Sequence, residues 1–190
     1  MNGFENWFCA SWFWRCATRR RLLPWILSGS QLGDHVLELG AGPGAATDEL
    51  RQRAGRVTSL EYDRAFATRL SARMCGSNVR VLQGDAATLP FPDATFSSAI
   101  AILVLHHLKS SELQDRAFAE IHRVLRPEGV FFAFEIRDGW MQRAAHTRST
   151  FVPLAPGSGN ARLHAAGFSR VTVDLRRGGF RIRALRPRES

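Results

Sequence analysis

The chain has 190 residues, 45% of them hydrophobic and 23% charged, with a net charge of +9. That length and composition suit one well-packed globular domain and exclude wholesale disorder or a membrane bundle, since no apolar run reaches the ~18 residues of a bilayer span. The positive charge is almost all arginine, with Lys109 the only lysine. Outside Arg19 to Arg21 and Arg176 to Arg188 the arginines are dispersed, and neither cluster interleaves with aromatic pairs as a nucleic-acid stacking platform would. Nucleic acid is therefore the lesser reading of the charge, and solvated surface the greater. Three cysteines, Cys9, Cys16 and Cys75, show no C-x-x-C spacing. They indicate neither a disulfide framework nor a zinc site, and a reducing cytoplasm is the expected compartment.

Residues 1 to 31 carry Trp7, Trp12, Trp14 and Trp25 with Phe4, Phe8 and Phe13. They read as a separate helical segment, broken near Pro24 and ended by Ser28-Gly29. The aromatics surround the helix axis, so the segment is expected to pack between the domain and something else. A helix packed on its own domain is the favoured reading; a partner subunit forming a homodimer, a substrate and a lipid surface are the alternatives. The charges follow the aromatics, which is not the order of a signal peptide.

From Val36 the chain alternates short apolar runs with helical segments, the pattern of a mostly parallel sheet covered on both faces. Strands are predicted near 36–39, 56–61, 79–83, 97–103 and 129–136, with helices near 45–54, 64–74 and 112–125. The last helix should stop at Arg126-Pro127-Glu128-Gly129, with the glycine in the strained turn. Residues 137–159 read as a loop-rich insertion with one helical turn. A short helix at 161–166 then leads to strands near 169–175 and 180–185, made antiparallel by the short Gly178-Gly179 link.

The organising stretch is Val36 to Gly44, VLELGAGPG: a buried strand that runs into glycines at alternate positions. Gly40, Gly42 and Gly44 let the backbone turn tightly and approach a ligand. Gly40, Gly42 and Ala45 alone also satisfy the dinucleotide pattern. Other residues converge on the carboxyl ends of successive strands, where open α/β sheets bind ligands. Glu61 lies 21 residues after Gly40, placed to accept from ribose hydroxyls. Asp85 follows the third strand, where an acid can accept from an exocyclic adenine amine, and Glu38 stands two residues before Gly40, placed to attract an ammonium group. A cofactor with an amine, a carboxylate, a ribose and an adenine, but no phosphate, satisfies all of these.

With these motifs in hand, the sequence resembles the class I S-adenosylmethionine-dependent methyltransferases, of the small-molecule kind grouped as methyltransferase domain 11. The matching segments are VLELGAGPG, VTSLEYD, GDAATLPFPDATF, AILVLHHL, RVLRPEGV and LHAAGFSRVTV, and together they cover Leu32 to about Leu185. The resemblance implies an α/β, Rossmann-like three-layer sandwich. Its seven-stranded, mostly parallel sheet has the order 3-2-1-4-5-7-6 with strand 7 antiparallel, and S-adenosyl-L-methionine is its cofactor. Carried over by residue, it sets the methionine part against Gly40, Ala41, Gly42 and Gly44 with Glu38 near the amino group. Glu61 then takes the ribose, Tyr62 lies against the adenine, Asp85 with the Ala86 N–H reads the adenine edge, and Ile102 is a further cofactor-binding residue.

Methyl transfer is an in-line attack on a sulfonium methyl, so the protein aligns a nucleophile and excludes water. His106 and His107 follow the fourth strand, where imidazole can take a proton near neutral pH. His106 is the candidate base and Glu135, ending the fifth strand, its candidate partner; packing is the favoured reading of His107. Phe96-Ser97 replaces the Phe-Asp frequent in the family, and the short segment 137–167 leaves substrate cover to the N-terminal aromatics or a second subunit.

The place after the fourth strand reads Ala101-Ile102-Leu103-Val104, without the Asn/Asp-Pro-Pro-aromatic element of nucleobase-amine enzymes. A small-molecule acceptor methylated at oxygen or carbon is the leading expectation. Methylation of RNA or protein comes next, then a non-catalytic cofactor-fold scaffold, then a nicotinamide dehydrogenase.

Overall fold

The computed structural model describes residues 11–146, 150–176 and 178–188. Its centre is a seven-stranded sheet built from β1 (His35–Leu39), β2 (Arg56–Glu61), β3 (Val79–Gln83), β4 (Phe96–Ile102), β5 (Leu125–Ile136), β6 (Ser169–Arg176) and β7 (Gly179–Leu185). The strand order is β3-β2-β1-β4-β5-β7-β6. β1 to β5 pair in parallel, and β7 runs antiparallel to both β5 and β6. This is the order implied by the family resemblance. The buried β1 and largely buried β4 are covered on both faces, as parallel central strands must be, whereas the two-residue link after Arg176 can only return the chain antiparallel.

The helices are α1 (Trp12–Ala17), α2 (Leu23–Leu27), α3 (Thr47–Leu50), α4 (Arg64–Arg73), α5 (Ser111–Val124), α6 (Trp140–Ala145) and α7 (Pro156–Ala165). α5 and α7 cover one face of the sheet, where Phe118, Ile121, Val124 and Leu163 pack with Leu37, Ala99 and Phe131. α2 covers the other, where Leu23, Ile26 and Leu27 pack with Val36, Ile100 and Phe132. Ala117, Phe118, Ile121 and Val124 recur at helical spacing and are fully buried, so α5 is held by its apolar stripe and by Ser110, whose hydroxyl accepts from the Leu113 N–H.

Residues 23–27 thus belong to the core of the domain. Pro24 does not end the helix: a π-turn over Thr18–Leu22 precedes it, the Leu23 N–H donates to the Thr18 carbonyl, and the wider turn makes room for the proline ring. Ser28 then closes the helix in the left-handed region at φ 47°. Phe4, Trp7, Phe8 and Cys9 lie outside the described residues, and Trp12 and Phe13 face solvent.

Several boundaries differ from the sequence expectation. The helix expected over 45–54 is regular only at Thr47–Leu50; tightened turns finish it, with the Arg53 and Ala54 N–H groups both directed to the Leu50 carbonyl. β5 begins at Leu125, four residues early, because Leu125 already pairs with Phe96 across a register shift. The strained position there is Glu128, at φ 64°, and not Gly129. Gly129 is required for space instead, since a Cβ would stand 2.7 Å from the Arg126 carbonyl and 3.2 Å from that of Ser97. The expected insertion holds α6 and the start of α7. Gly157-Ser158-Gly159 is helical because Pro156 starts the helix and Gly159 seats on Leu154.

Candidate functional site

β1 delivers its carboxyl end to a loop whose Gly40, Gly42 and Gly44 take φ values of 65°, 51° and 82°. Each glycine answers a different demand. A Cβ on Gly40 would meet Val104 at 2.4 Å, and one on Gly44 would meet Arg73 at 2.2 Å, while one on Gly42 would find nothing within 4 Å. Gly40 and Gly44 are therefore small because protein packs on them, and Gly42 because its side is open. The loop is fastened from three directions. The Gly40 N–H donates to the Leu60 carbonyl at 2.8 Å, and the Gly42 N–H to Glu61 Oε2 at 2.7 Å. Arg15 and Arg73 both donate to the Pro43 carbonyl and both pair with Asp48.

Glu61 is nearly buried, and its other oxygen accepts from the Asp63 N–H at 2.8 Å. Two amides use two of about four lone-pair sites, so the carboxylate, bonded to the Gly42 N–H, retains acceptor capacity. Glu38 lies beneath the loop, 3% exposed, with Oε2 accepting from Thr47 at 2.7 Å and from Ser59 at 2.6 Å. Ser59 faces it in the β1–β2 register. Burial raises the Glu38 pKa to about 7 despite these two hydroxyls, and the negative charges of Glu61 and Asp48 push the same way.

Asp85 follows β3, with Oδ1 accepting from the Ala87 N–H at 2.9 Å; Ala86 beside it is half-buried against the core. Tyr62 is 67% exposed at the end of β2. The Ala41 side chain packs with Leu70 and Met74, and that of Ile102 joins the cluster under α2. The expected binding residues therefore divide. Gly42 bonds Glu61 directly, Gly40 bonds the adjacent Leu60, and Glu38 is held by Thr47 and Ser59; Tyr62 follows Glu61 at the end of β2, and Asp85 and Ala86 follow β3, the next strand along the same edge; Ala41 and Ile102 use their side chains for packing. Ser97 ties β1 to β4, its hydroxyl accepting from the His35 N–H and directed to the Leu32 and His35 carbonyls.

Beyond β4 the chain turns through Leu103, at φ 58°, into a 3-10 turn over Leu105–His107. A branched residue held left-handed is strained, and here the strain sets the turn that carries the histidines. Glu135, fully buried in β5, accepts from the Val104 and Leu105 N–H groups at 2.9 and 2.8 Å and meets His106 Nδ1 at 2.5 Å. A carboxylate can only accept, so Nδ1 carries the proton and the lone pair of His106 lies on Nε2. Gln114 in α5 braces the turn by donating to the Leu105 and Val152 carbonyls. The Val152 N–H donates to the His106 carbonyl. Because Val104 is the residue that packs on Gly40, the histidine turn abuts the glycine loop.

Sequence reasoning missed Arg15, Arg73 and Gln114, whose partners are main-chain carbonyls set by tertiary structure. It also missed His146 at the end of α6, whose ring lies 5.1 Å from that of His106. Only Thr47, nine residues from Glu38 at the start of a helix, carried a local signal.

Residues 37–133 match the family model described as a methyltransferase domain. The sterol 24-C-methyltransferase of Eremothecium gossypii is 30% identical over 162 residues, covering 82% of this chain and 42% of that protein. The probable ribosomal RNA small subunit methyltransferase A of Natronomonas pharaonis is 43% identical over 79 residues, covering 40% of this chain and 29% of that one. The chain spans less than half the length of such curated relatives. A chain from the complex between the Haloferax volcanii Trm112 methyltransferase activator and a methyltransferase shares the fold with a TM-score of 0.76, 17% identity and 99% coverage of both chains.

A glycine loop between an acid beneath it and an acid at the second strand, on this strand order, is the arrangement of the Rossmann-like methyltransferase fold. The chain belongs to the class I S-adenosylmethionine-dependent methyltransferases. S-adenosyl-L-methionine is the cofactor of that family, and the residues here fit it: Gly42 opens onto space, and Glu61, bonded to the Gly42 N–H, keeps acceptor capacity.

Proposed function

We propose that the chain transfers a methyl group from S-adenosyl-L-methionine to an oxygen or carbon atom of a small, largely apolar acceptor. The observation that carries this reading is the His106–Glu135 pair, 2% and 0% exposed, on the turn that packs against the glycine loop. The cofactor supplies an electrophilic methyl on a sulfonium, and the chain's own part is to position the acceptor and hold its proton. His106 Nε2 takes the proton of the acceptor hydroxyl or acidic carbon, Glu135 fixes the ring and stabilises the imidazolium, and the two backbone amides keep Glu135 in place. Glu38 and the loop hold the amino-acid end, Glu61 the ribose, and Asp85 with Ala86 the adenine edge. Phe151, stacked on His146 at 4.5 Å, gives the acceptor side an apolar wall. The sterol-methylating relative, aligned over most of this chain, supports an acceptor of this class.

A second reading has one observation in its favour. An open groove of about 740 Å³, lined by Arg20, Arg21, Trp25, Ser28 and Arg176, lies where β6 ends at the same edge of the sheet. With the net charge of +9 and the ribosomal RNA methyltransferase among the relatives, it suits an anionic macromolecule. One experiment separates the two: formation of S-adenosylhomocysteine is followed with hydroxylated apolar acceptors and with structured RNA over a salt series. The proposal expects turnover of a small acceptor with a flat salt response. Turnover of RNA alone, falling steeply with salt, would overturn it.

A further inference from the structure

His106, His107 and His146 each offer a ring nitrogen within 4.8 Å of the other two. The three come from two elements distant in sequence: the 3-10 turn after β4, and the residue that follows α6. Proximity of three imidazoles is common enough to mean little by itself. Their hydrogen bonds give it meaning.

Each histidine directs Nδ1 to an oxygen that can only accept. His106 Nδ1 meets Glu135 Oε2 at 2.5 Å, His107 Nδ1 meets the Thr150 carbonyl at 3.2 Å, and His146 Nδ1 meets the Gln142 carbonyl at 2.7 Å. A bond of this kind favours, in each ring, the tautomer that carries its lone pair on Nε2. Metal-ligating histidines are oriented in this way, by a carboxylate or a main-chain carbonyl on the other ring nitrogen, which sets the tautomer and raises the basicity of the ligand. One carboxylate–histidine pair and two carbonyl–histidine pairs on a single cluster make a set of neutral nitrogen donors suited to a borderline divalent ion.

We infer that His106, His107 and His146 form a three-nitrogen site for a divalent transition metal ion of the zinc class at the acceptor side of the methyl-transfer centre. A tetrahedral zinc ion with bonds of about 2.0–2.1 Å holds its nitrogens roughly 3.3–3.4 Å apart, so the cluster closes by at most ~1.5 Å on binding. His146 follows the six-residue α6, in which no residue is buried, so this side of the cluster is the one placed to supply that movement. The fourth position of the ion faces a water or an acceptor heteroatom, as in sites with three protein ligands. Proton transfer and metal then use the same Nε2 of His106, so the metal-bound and proton-accepting forms are alternative states of one site. The inference shares His106 with the proposed transfer reaction but does not depend on the acceptor or on turnover.

Calorimetry on the untagged full chain, stripped with a chelator and titrated with zinc chloride at about pH 7.5, tests it directly. The site predicts one zinc ion per chain. His146→Ala and His107→Ala should each weaken binding by at least tenfold, and Glu135→Gln, which removes an orienting partner, by about 10–100-fold. S-adenosylhomocysteine titrated into the same samples shows whether each variant is folded and keeps its cofactor half. A wild-type stoichiometry far below one, or zinc binding unchanged in both His107→Ala and His146→Ala while the homocysteine product still binds, would overturn the site. Neither result bears on whether a small molecule is methylated, so the two readings fail separately.

Discussion

The two halves of the site are built by different means. The glycine loop is a backbone device: nine consecutive residues, three of them at positive φ, and amides directed onto the end of the neighbouring strand. The proposed acceptor side is a side-chain device, in which Glu135, the 3-10 turn, Gln114, and His146 with Phe151 and Val152 come from four separate parts of the chain. Val104 on Gly40 is the contact that joins them. On the proposed reading, the comparison teaches that cofactor binding rests on local conformation, whereas chemistry at the acceptor rests on one buried carboxylate and its hydrogen bonds. Damage to either half should therefore leave the other measurable.

The largest expected effect lies on the acceptor side. His106→Ala should lower the rate of methyl transfer by about 10²–10⁴-fold, the span attributed to a positioned acid or base, with cofactor affinity little changed. A parallel loss of affinity would break the separation. Next comes Gly42→Leu. A Cβ there meets no protein atom within 4 Å, so the added bulk enters the open side of the loop and cofactor binding should fall by roughly 100-fold or more. The left-handed φ should cost only about 1–2 kcal/mol of stability. A far larger loss of stability, with the affinity of the folded protein intact, would reverse the assignment of Gly42 from ligand space to packing.

The smallest effect sharpens the role of Glu38. Its folded pKa is raised from 4.5 to about 7, so the native protein holds more protons than the unfolded chain between those values. The associated stability is complete below about pH 4.5 and is lost as pH rises through about 7, in total on the order of 3 kcal/mol for the cofactor-free protein. Urea midpoints of wild type and Glu38→Gln across pH 5 to 8 measure it, and the variant should lose most of the slope. An ammonium group held beside Glu38 favours the ionised form, so cofactor binding near pH 6 should release a proton.

Much of this architecture was legible in the residues. The apolar runs at Val36, Val57 and Ser98 to Ile102, the alternate glycines and the short link after Arg176 dictate strands, loop and final hairpin through rules that act within a few residues. Glu61 and Asp85 could be singled out in the sequence because one ends β2 and the other closely follows β3, at the carboxyl edge of the sheet. The start of β5 at Leu125 and the helix over Gly157 to Gly159 were not, since pairing with Phe96 and packing on Leu154 overrule local preference. Arg15 and Arg73 were hidden for the same reason: a guanidinium that straps a carbonyl some 28 or 30 residues away leaves no local pattern. His146 was hidden because its partners, His106 and Phe151, meet it only after α6 has formed.

The separation of the two halves is tested most directly by titrating S-adenosylhomocysteine calorimetrically into Gly42→Leu and His106→Ala side by side with the wild type. The structure predicts that His106→Ala binds within about threefold of wild type and that Gly42→Leu loses roughly 100-fold or more. Equal losses in both variants, or full affinity in Gly42→Leu, would contradict a cofactor site carried by the glycine loop alone.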